Sequence, residues 1–285
     1  MSSDKLIILC DQKAWLSPLL RAFEALGKSP EVVNIRDWVW SPSEGFDGWG
    51  RVVNRVSARP EVAGGHPTSM LRKTQDVLAA LELSGIGCIN GSRAYAVGSS
   101  KALQAVCFHQ AKVKTPLTVF TTGAEEKLTD GVEWLVKPNP GGFGKAVGQL
   151  SSAGLAAALA MDGTAVMQKQ IQVGEPFVYR AEFIGGELAY LAASPLEAGE
   201  TNYCLAGAGD EVKLSRHLPR VIEEACQKIL KLSQMDLGSI EYLIDSTGDP
   251  VFIDINPVSS PHPGVFTSLG VDIWQLQAEY FFSSW

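Results

Sequence analysis

Two apolar segments near the C-terminus carry oxygen-bearing side chains, and this combination limits the possible fold more than any other feature. Ser239–Ile244 and Val251–Ile255 flank a Ser-Thr-Gly-Asp turn, which predicts a β-hairpin. Asp254 and Asn256 are two residues apart, so on a strand both side chains point to one face, and Glu241 on the preceding strand can share that face. Two carboxylates and an amide oxygen are hard ligands that suit Mg²⁺ bound together with substrate phosphates. The alternative is a solvated polar face, but the apolar neighbours favour the metal because a carboxylate on a core strand needs a partner.

A second segment joins a lysine to a glycine-rich loop. Lys137 follows the apolar run that starts at Trp134, so we expect it at the end of a strand. A lysine ammonium can reach a phosphate as a point charge, and glycine N–H groups can approach phosphate oxygens closely. The loop residues in question are Gly141, Gly142, Phe143 (a candidate lid) and Gly144. An ordinary glycine hairpin fits this segment equally well, but a phosphate cradle and a cation site in one chain indicate nucleoside triphosphate chemistry.

Composition narrows the class of protein. A chain of 285 residues is too long for one small core, so we expect two or three packed units. The net charge of −7 argues against a nucleic-acid partner, which would need a basic surface. The 5 cysteines and 4 histidines are dispersed, which predicts reduced thiols and no zinc site. No segment approaches the ~20 apolar residues of a membrane span, so we expect a cytoplasmic protein with no membrane partner.

The order of predicted elements indicates an α/β protein with α+β lobes. Strands and helices alternate through residues 1–92, which predicts an N-terminal α/β domain with a parallel sheet. Ligands of such sheets gather at the carboxyl ends of the strands. We expect a central lobe over 93–171, which contains the glycine-rich loop, and a C-terminal lobe over 172–285, which contains the metal site. The predicted strands are 5–10, 31–35, 51–56, 87–90, 133–138, 147–150, 165–171, 177–184, 187–193, 239–244 and 251–255.

Two further basic residues are candidates for contacts with phosphate. Lys101 opens a predicted helix after a Gly-Ser-Ser sequence, although a surface lysine is the simpler interpretation of that position alone. Arg180 alternates with apolar residues on a predicted strand, and an inward arginine is a suitable clamp for a carboxylate or phosphoryl group. A cross-strand ion pair with Glu182 or Glu187 is almost equally compatible with the pattern.

The segment after the third predicted strand also carries basic and polar side chains. Arg55, Ser57 and Arg59 could contact an acidic substrate. A solvated loop is the slightly preferred interpretation of these residues.

From about residue 85 onward the chain resembles the ATP-grasp family, in particular its RimK-like branch of glutamate ligases and lysine-biosynthesis carrier-protein ligases. Lys101 and Lys137 match the two ATP lysines of the family, and Arg180 matches the arginine that steadies the transferred phosphate and the acyl phosphate. The segment from Val166 onward matches the hinge that holds adenine through backbone groups. The other matches are the hinge residues Gln168, Lys169, Gln170 and Ile171, the ribose position Glu175, the γ-phosphate position Asn202, and the metal ligands Glu241, Asp254 and Asn256.

The resemblance implies an ATP-grasp fold, with ATP and Mg²⁺ (or Mn²⁺) as cofactors. It implies a ligase in which a carboxylate attacks the γ-phosphate and an amine then attacks the acyl phosphate, giving an amide, ADP and phosphate. The implied partners are small-molecule carboxylate and amine substrates, or a peptide or carrier-protein acceptor, and the implied assembly is a homo-oligomer. A kinase on the same fold and a nucleotide-binding regulatory protein without turnover are the alternatives.

Overall fold

The computed structural model of the chain describes residues 5–58, 67–123, 133–141, 146–196 and 211–283. The strands are β1 (Lys5–Cys10), β2 (Glu31–Asn34), β3 (Trp49–Arg55), β4 (Gly87–Ile89), β5 (Thr118–Thr121), β6 (Trp134–Pro138), β7 (Gly148–Gln149), β8 (Ala165–Lys169), β9 (Phe177–Ile184), β10 (Glu187–Pro195), β11 (Lys213–Ser215), β12 (Leu237–Ile244) and β13 (Pro250–Asn256). The α-helices are α1 (Ser17–Ala25), α2 (Pro67–Leu83), α3 (Ser92–Gly98), α4 (Lys101–Ala111), α5 (Ser152–Leu159), α6 (Arg220–Ser233), α7 (Val265–Leu269) and α8 (Ile273–Ser283). None of these helices has the length and apolar character needed to cross a membrane.

The N-terminal part is a parallel sheet covered on both faces. Its 4 strands lie in the order β2-β1-β3-β4, and every pair is parallel. Ile7 and Leu9 of β1 pack in one core cluster while Ile8 packs in another, because successive side chains of a strand point to opposite faces. The predicted parallel α/β layer is therefore confirmed.

The central sheet is antiparallel and has one apolar and one polar face. Its strand order is β5-β8-β6-β7. Trp134, Val136 and Met167 pack under α5. Lys137 and Gln168 alternate with these residues, so they lie on the opposite face, towards the C-terminal lobe. The predicted strand 165–171 ends at Lys169, where the chain crosses to that lobe.

The C-terminal lobe is built on a 5-stranded antiparallel sheet in the order β11-β10-β9-β12-β13. Gly185 and Gly186 connect β9 to β10 with φ values of 61° and 85°, as expected for a two-residue hairpin turn. One face of the sheet packs against α4 and α6 through a large apolar cluster. The alternate residues of β9, Arg180 and Glu182, belong to the other face, which is where the candidate site lies.

Asn90 ties the N-terminal sheet to the C-terminal lobe. It follows β4 with a left-handed φ of 52°, a conformation that asparagine tolerates better than most residues. Its side-chain N–H₂ donates to the carbonyls of Leu237 (2.8 Å) and Pro257 (2.6 Å), and its side-chain oxygen accepts from the N–H of Asp236 (2.8 Å). These contacts bring the carboxyl ends of the parallel strands close to the end of β13.

Candidate functional site

The three predicted metal ligands lie side by side on the β12–β13 hairpin. Glu241 is paired with Asp254 in the antiparallel register, and Asn256 follows two residues later on the same strand. The Nδ2 atom of Asn256 donates to Glu241 Oε1 over 3.2 Å. Within the described residues no cluster of three or more His, Cys, Asp or Glu side chains could hold a metal ion. The site therefore offers two carboxylates and one amide oxygen, a set that fits Mg²⁺ with phosphates completing its shell.

Lys101 faces these carboxylates from the start of α4. Its ammonium lies 3.7 Å from Asp254 Oδ1. Ser100 caps the helix by accepting a hydrogen bond from the N–H of Leu103. This cap fixes the start of the helix and therefore the position of Lys101, its first residue.

Asn139 connects this helix to the glycine-rich loop. Its side-chain oxygen accepts from Ser100 Oγ (3.2 Å) and from the N–H of Ala102 (3.0 Å), and its carbonyl accepts from the N–H of Lys101 (3.1 Å). The residue thus places the end of β6 beside the first turn of α4. This role could not be predicted from the sequence, because the only local signal is an asparagine between two prolines.

Lys137 approaches the same carboxylates from β6. Its ammonium donates to Gln168 Oε1 over 2.8 Å, and Gln168 in turn donates to the hydroxyl of Thr118. Burial and the positive charge of Lys101 lower the pKa of Lys137 to about 8, although Asp254 and Glu241 act in the opposite direction. The side chain of Gln168 thus orients this lysine, while the predicted backbone contact of Gln168 to adenine stays a prediction.

Arg180 lies opposite Glu241 on the neighbouring strand β9. Its Nε atom is 3.6 Å from Glu182 Oε2, so the ion pair is formed with the residue two positions on and not with Glu187. Burial opposes the charge of the guanidinium, but the carboxylates of Glu182 and Glu241 outweigh it and raise the pKa of Arg180. The Nε and Nη2 atoms of Arg180 are buried without a hydrogen-bond partner among the described residues. They are therefore available to a ligand.

The hinge between the two lobes has a defined pattern of backbone hydrogen bonds. The N–H of Lys169 donates to Leu117 and that of Gln170 donates to Glu133, each over 2.9 Å. A cleft of about 790 Å³ lies along this hinge, and Ile171 is one of the residues that line it.

A small apolar surface separates the hinge from the carboxylates. Val178 and Leu243 are buried there, with Ile171, Val173 and Ile253 packed beside them. Val178 is two residues before Arg180 on β9 and Leu243 two residues after Glu241 on β12. The apolar surface and the charged site thus share one face of the sheet.

Glu175, the predicted ribose contact, is turned towards the other face. Its carboxylate accepts a short hydrogen bond from the hydroxyl of Tyr179, whose ring stacks on Tyr242 at 5.0 Å between centroids. Tyr179 belongs to the face that packs on α4 and α6. The ribose assignment remains a prediction, and it requires Glu175 to leave Tyr179.

Several predicted residues fall outside the part of the chain that the structure describes. These are Gly142, Phe143, Gly144, Asn202 and Arg59. Gly141 lies within the described residues, three positions after the end of β6.

The preferred interpretation of the segment at the end of β3, a solvated loop, is wrong for Arg55 and Ser57. Arg55 is only 8% exposed and Ser57 only 4%. The C-terminal lobe covers this segment: Arg55 Nη2 donates to the carbonyl of Ser259 over 3.3 Å. This contact joins residues 204 positions apart, so local sequence carries no signal for it.

Sequence comparisons find no matching protein-family model and no matching curated protein. Solved structures, in contrast, match the fold over almost the whole chain. The RimK domain protein ATP-grasp from Sphaerobacter thermophilus DSM 20745 has 16% identity and a TM-score of 0.68, covering 97% of this chain and 99% of that chain. D-cycloserine synthetase DcsG has 16% identity and a TM-score of 0.69, with 98% and 99% coverage. The ATP-grasp ligase PsnB, complexed with minimal precursor, Mg and ADP, has 15% identity and a TM-score of 0.67, with 99% and 97% coverage.

These structures match the chain at 15 to 16% identity, so what they establish is the fold. The expectation drawn from the lysine, hinge and metal-ligand motifs is confirmed at that level. The chain has the ATP-grasp fold.

Proposed function

We propose that the protein is an ATP-dependent carboxylate–amine ligase that forms an amide bond through an acyl phosphate and releases ADP and phosphate. The observation that carries this proposal is the arrangement of charges around one site. The cationic side chains of Lys101, Lys137 and Arg180 surround the carboxylates of Glu241 and Asp254. This pattern suits a nucleotide triphosphate that enters together with a divalent cation.

The two lysines and the hairpin ligands divide the work of holding MgATP. Lys101 and Lys137 hold the α- and β-phosphates from two different elements, α4 and β6. Glu241, Asp254 and Asn256 would hold Mg²⁺ (or Mn²⁺), which would supply positive charge against the negative charge of the phosphates.

Arg180 acts on the reacting groups. A carboxylate oxygen of the acid attacks the γ-phosphorus, the bond from that phosphorus to the bridging oxygen breaks, and ADP leaves. The amine nitrogen then attacks the acyl carbon, the carbon–oxygen bond to phosphate breaks, and the amine loses a proton. The two unpartnered N–H positions of Arg180 are suited to the oxygen atoms that carry negative charge in both steps.

The adenine base fits between the hinge and the apolar surface formed by Val178, Leu243 and their neighbours. Because the N–H groups of Lys169 and Gln170 are already bonded to carbonyls, we assign the contact with adenine to the N–H of Ile171, the next residue of the hinge. The apolar surface would cover one face of the base.

Two classes of substrate are compatible with this reaction, namely small molecules and peptides. PsnB was solved with a minimal precursor, and DcsG is a D-cycloserine synthetase, so proteins with this fold act on either kind of molecule. We propose a free carboxylate and amine as substrates, with a peptide or carrier-protein acceptor as the second option.

The test is ADP release with Mg-ATP against a panel of acids and amines that includes free amino acids, dicarboxylates and short peptides. Release should require both an acid and an amine. Asp254→Asn should lower the rate at least about 100-fold, while Asp76→Asn, an exposed carboxylate of α2, should keep it. Release with the acid alone and a stable phosphorylated product would identify a kinase instead.

A further inference from the structure

Arg55 lies where the N-terminal sheet meets the candidate site. It is the last residue of β3, at the carboxyl end of a parallel sheet, which is where such sheets bind ligands. Its guanidinium reaches Ser259, which follows the β12–β13 hairpin by only a few residues. A side chain of the N-terminal domain therefore reaches the surroundings of the proposed metal ligands.

The guanidinium of Arg55 is enclosed but incompletely bonded. Only 8% of the residue is exposed. Nη2 donates to the Ser259 carbonyl, yet Nε and Nη1 are buried without a hydrogen-bond partner among the described residues. Buried polar atoms without a partner are rare in folded proteins because the lost hydration is not replaced. Each of these N–H groups can donate a charge-assisted hydrogen bond to a carboxylate oxygen.

The charges around Arg55 favour the binding of an anion. Glu182, which is 1% exposed, is the carboxylate that acts on it. The same Glu182 is shared: Oε1 accepts from the hydroxyl of Ser259, and Oε2 lies 3.6 Å from Nε of Arg180. Two buried guanidinium groups thus compete for one carboxylate, and each keeps unbonded N–H groups.

We propose that Arg55 binds a second carboxylate of the acid substrate, so that the enzyme selects a dicarboxylate. This inference rests on the ligase function proposed above. The carboxylate that becomes phosphorylated lies at Arg180, and the other, which does not react, is held by Arg55. Arg55 is then a specificity-determining residue that connects the N-terminal domain to the choice of acid.

The test is direct binding to protein loaded with a non-hydrolysable ATP analogue and Mg²⁺, so it does not depend on turnover. The probes are succinate, glutarate, L-aspartate and L-glutamate, each compared by calorimetry with its side-chain or terminal monoamide. The wild type should bind at least one dicarboxylate at least about tenfold more tightly than its monoamide, because the neutral amide cannot form a charge-assisted contact with the guanidinium. Arg55→Met should remove this preference. Arg72→Met, on an exposed face of α2, should keep it.

Arg55→Lys serves as a second variant, because it retains the charge but loses the fork of donors. It should retain only part of the preference for the dicarboxylate. Both variants should bind the ATP analogue like the wild type, which shows that the fold and the nucleotide site are intact. If Arg55→Met fails to fold, the comparison of Arg55→Lys with the wild type carries the test.

Three outcomes would overturn the proposal. One is a wild-type protein that binds no dicarboxylate more tightly than its monoamide. Another is an unchanged preference in the folded Arg55 variants, which would make Arg55 a structural contact of Ser259. The third is that the Arg55 variants bind the amine more weakly than the wild type does but bind the acid with unchanged affinity. If the wild type prefers a dicarboxylate but releases no ADP with any pair of acid and amine, the ligase function is refuted. The role of Arg55 in binding the dicarboxylate would still stand.

Discussion

The affinity for ATP should depend on pH because of one lysine. Lys137 is enclosed between β6 and β8 beside a second cation, Lys101, and these two effects lower its pKa from 10.5 to about 8. Phosphate oxygens interact favourably with the ammonium form of the lysine, so bound nucleotide raises the pKa of Lys137 again. The affinity for ATP is therefore highest at pH values well below 8, the pKa of Lys137 in the free protein. It is lost as the pH rises through that value.

The size of the effect follows from the fraction of protein that is already protonated. With a pKa of about 8, the ammonium form falls from about nine tenths of the molecules at about pH 7 to about one tenth at about pH 9. The dissociation constant for Mg-ATP should therefore rise about tenfold over this interval. At about pH 8, binding should take up about half a proton per nucleotide.

Isothermal titration calorimetry in two buffers of different ionisation enthalpy measures both quantities at once. Lys137→Arg provides the control, because its guanidinium stays charged across the whole interval and should give an affinity that is nearly independent of pH. The reasoning would be refuted by a wild-type affinity that is constant between about pH 7 and about pH 9 with no proton uptake. A Lys137→Arg variant with the same pH dependence as the wild type would also refute it.

Other predictions follow from the contacts of single residues. Asn90→Ala should lower the free energy of unfolding by about 3 kcal/mol, because it leaves buried backbone groups at the domain junction unbonded; a loss below about 0.5 kcal/mol in urea denaturation would contradict this role. Glu241→Gln should lower ADP release at least about 100-fold, whereas Glu187→Gln, at the exposed start of β10, should not change it. Asn139→Ala should weaken ATP binding as well as stability, since this residue holds the first turn of α4 against β6; unchanged nucleotide affinity in a fluorescence titration would show that the contact is only structural. Removal of divalent metal with EDTA should abolish ADP release, and added Mg²⁺ or Mn²⁺ should restore it.

The parts of the site that follow from strand periodicity could be predicted from the sequence. Asp254 and Asn256 share a face because side chains alternate along a strand, and the hairpin brings Glu241 opposite Asp254 as expected. Lys137 lies on the cleft side of β6 for the same reason. These features depend on contacts between neighbouring residues in one or two strands, which a local pattern records.

The parts that depend on packing between distant segments could not be predicted. The pair of Gln168 with Lys137 requires the register of β6 against β8, and the burial of Arg55 requires the C-terminal lobe to cover the end of β3. Glu175 has a suitable position in the sequence for ribose, but its hydrogen bond to Tyr179 turns it to the other face of the sheet. The contacts of Gln168 and Arg55 join residues that are far apart in the sequence, whereas Glu175 and Tyr179 are only 4 positions apart but share no pattern that marks their contact.

The transfer of ¹⁸O from a labelled substrate tests the ligase mechanism most directly. The acid identified in the substrate panel is labelled with ¹⁸O in its carboxylates and incubated with the amine and Mg-ATP, and the phosphate released is analysed by mass spectrometry. Because the carboxylate oxygen that attacks the γ-phosphorus stays with phosphorus when the amine displaces it, each phosphate should carry one labelled oxygen. Unlabelled phosphate, or a labelled phosphorylated acid that persists in the presence of the amine, would contradict the proposed reaction.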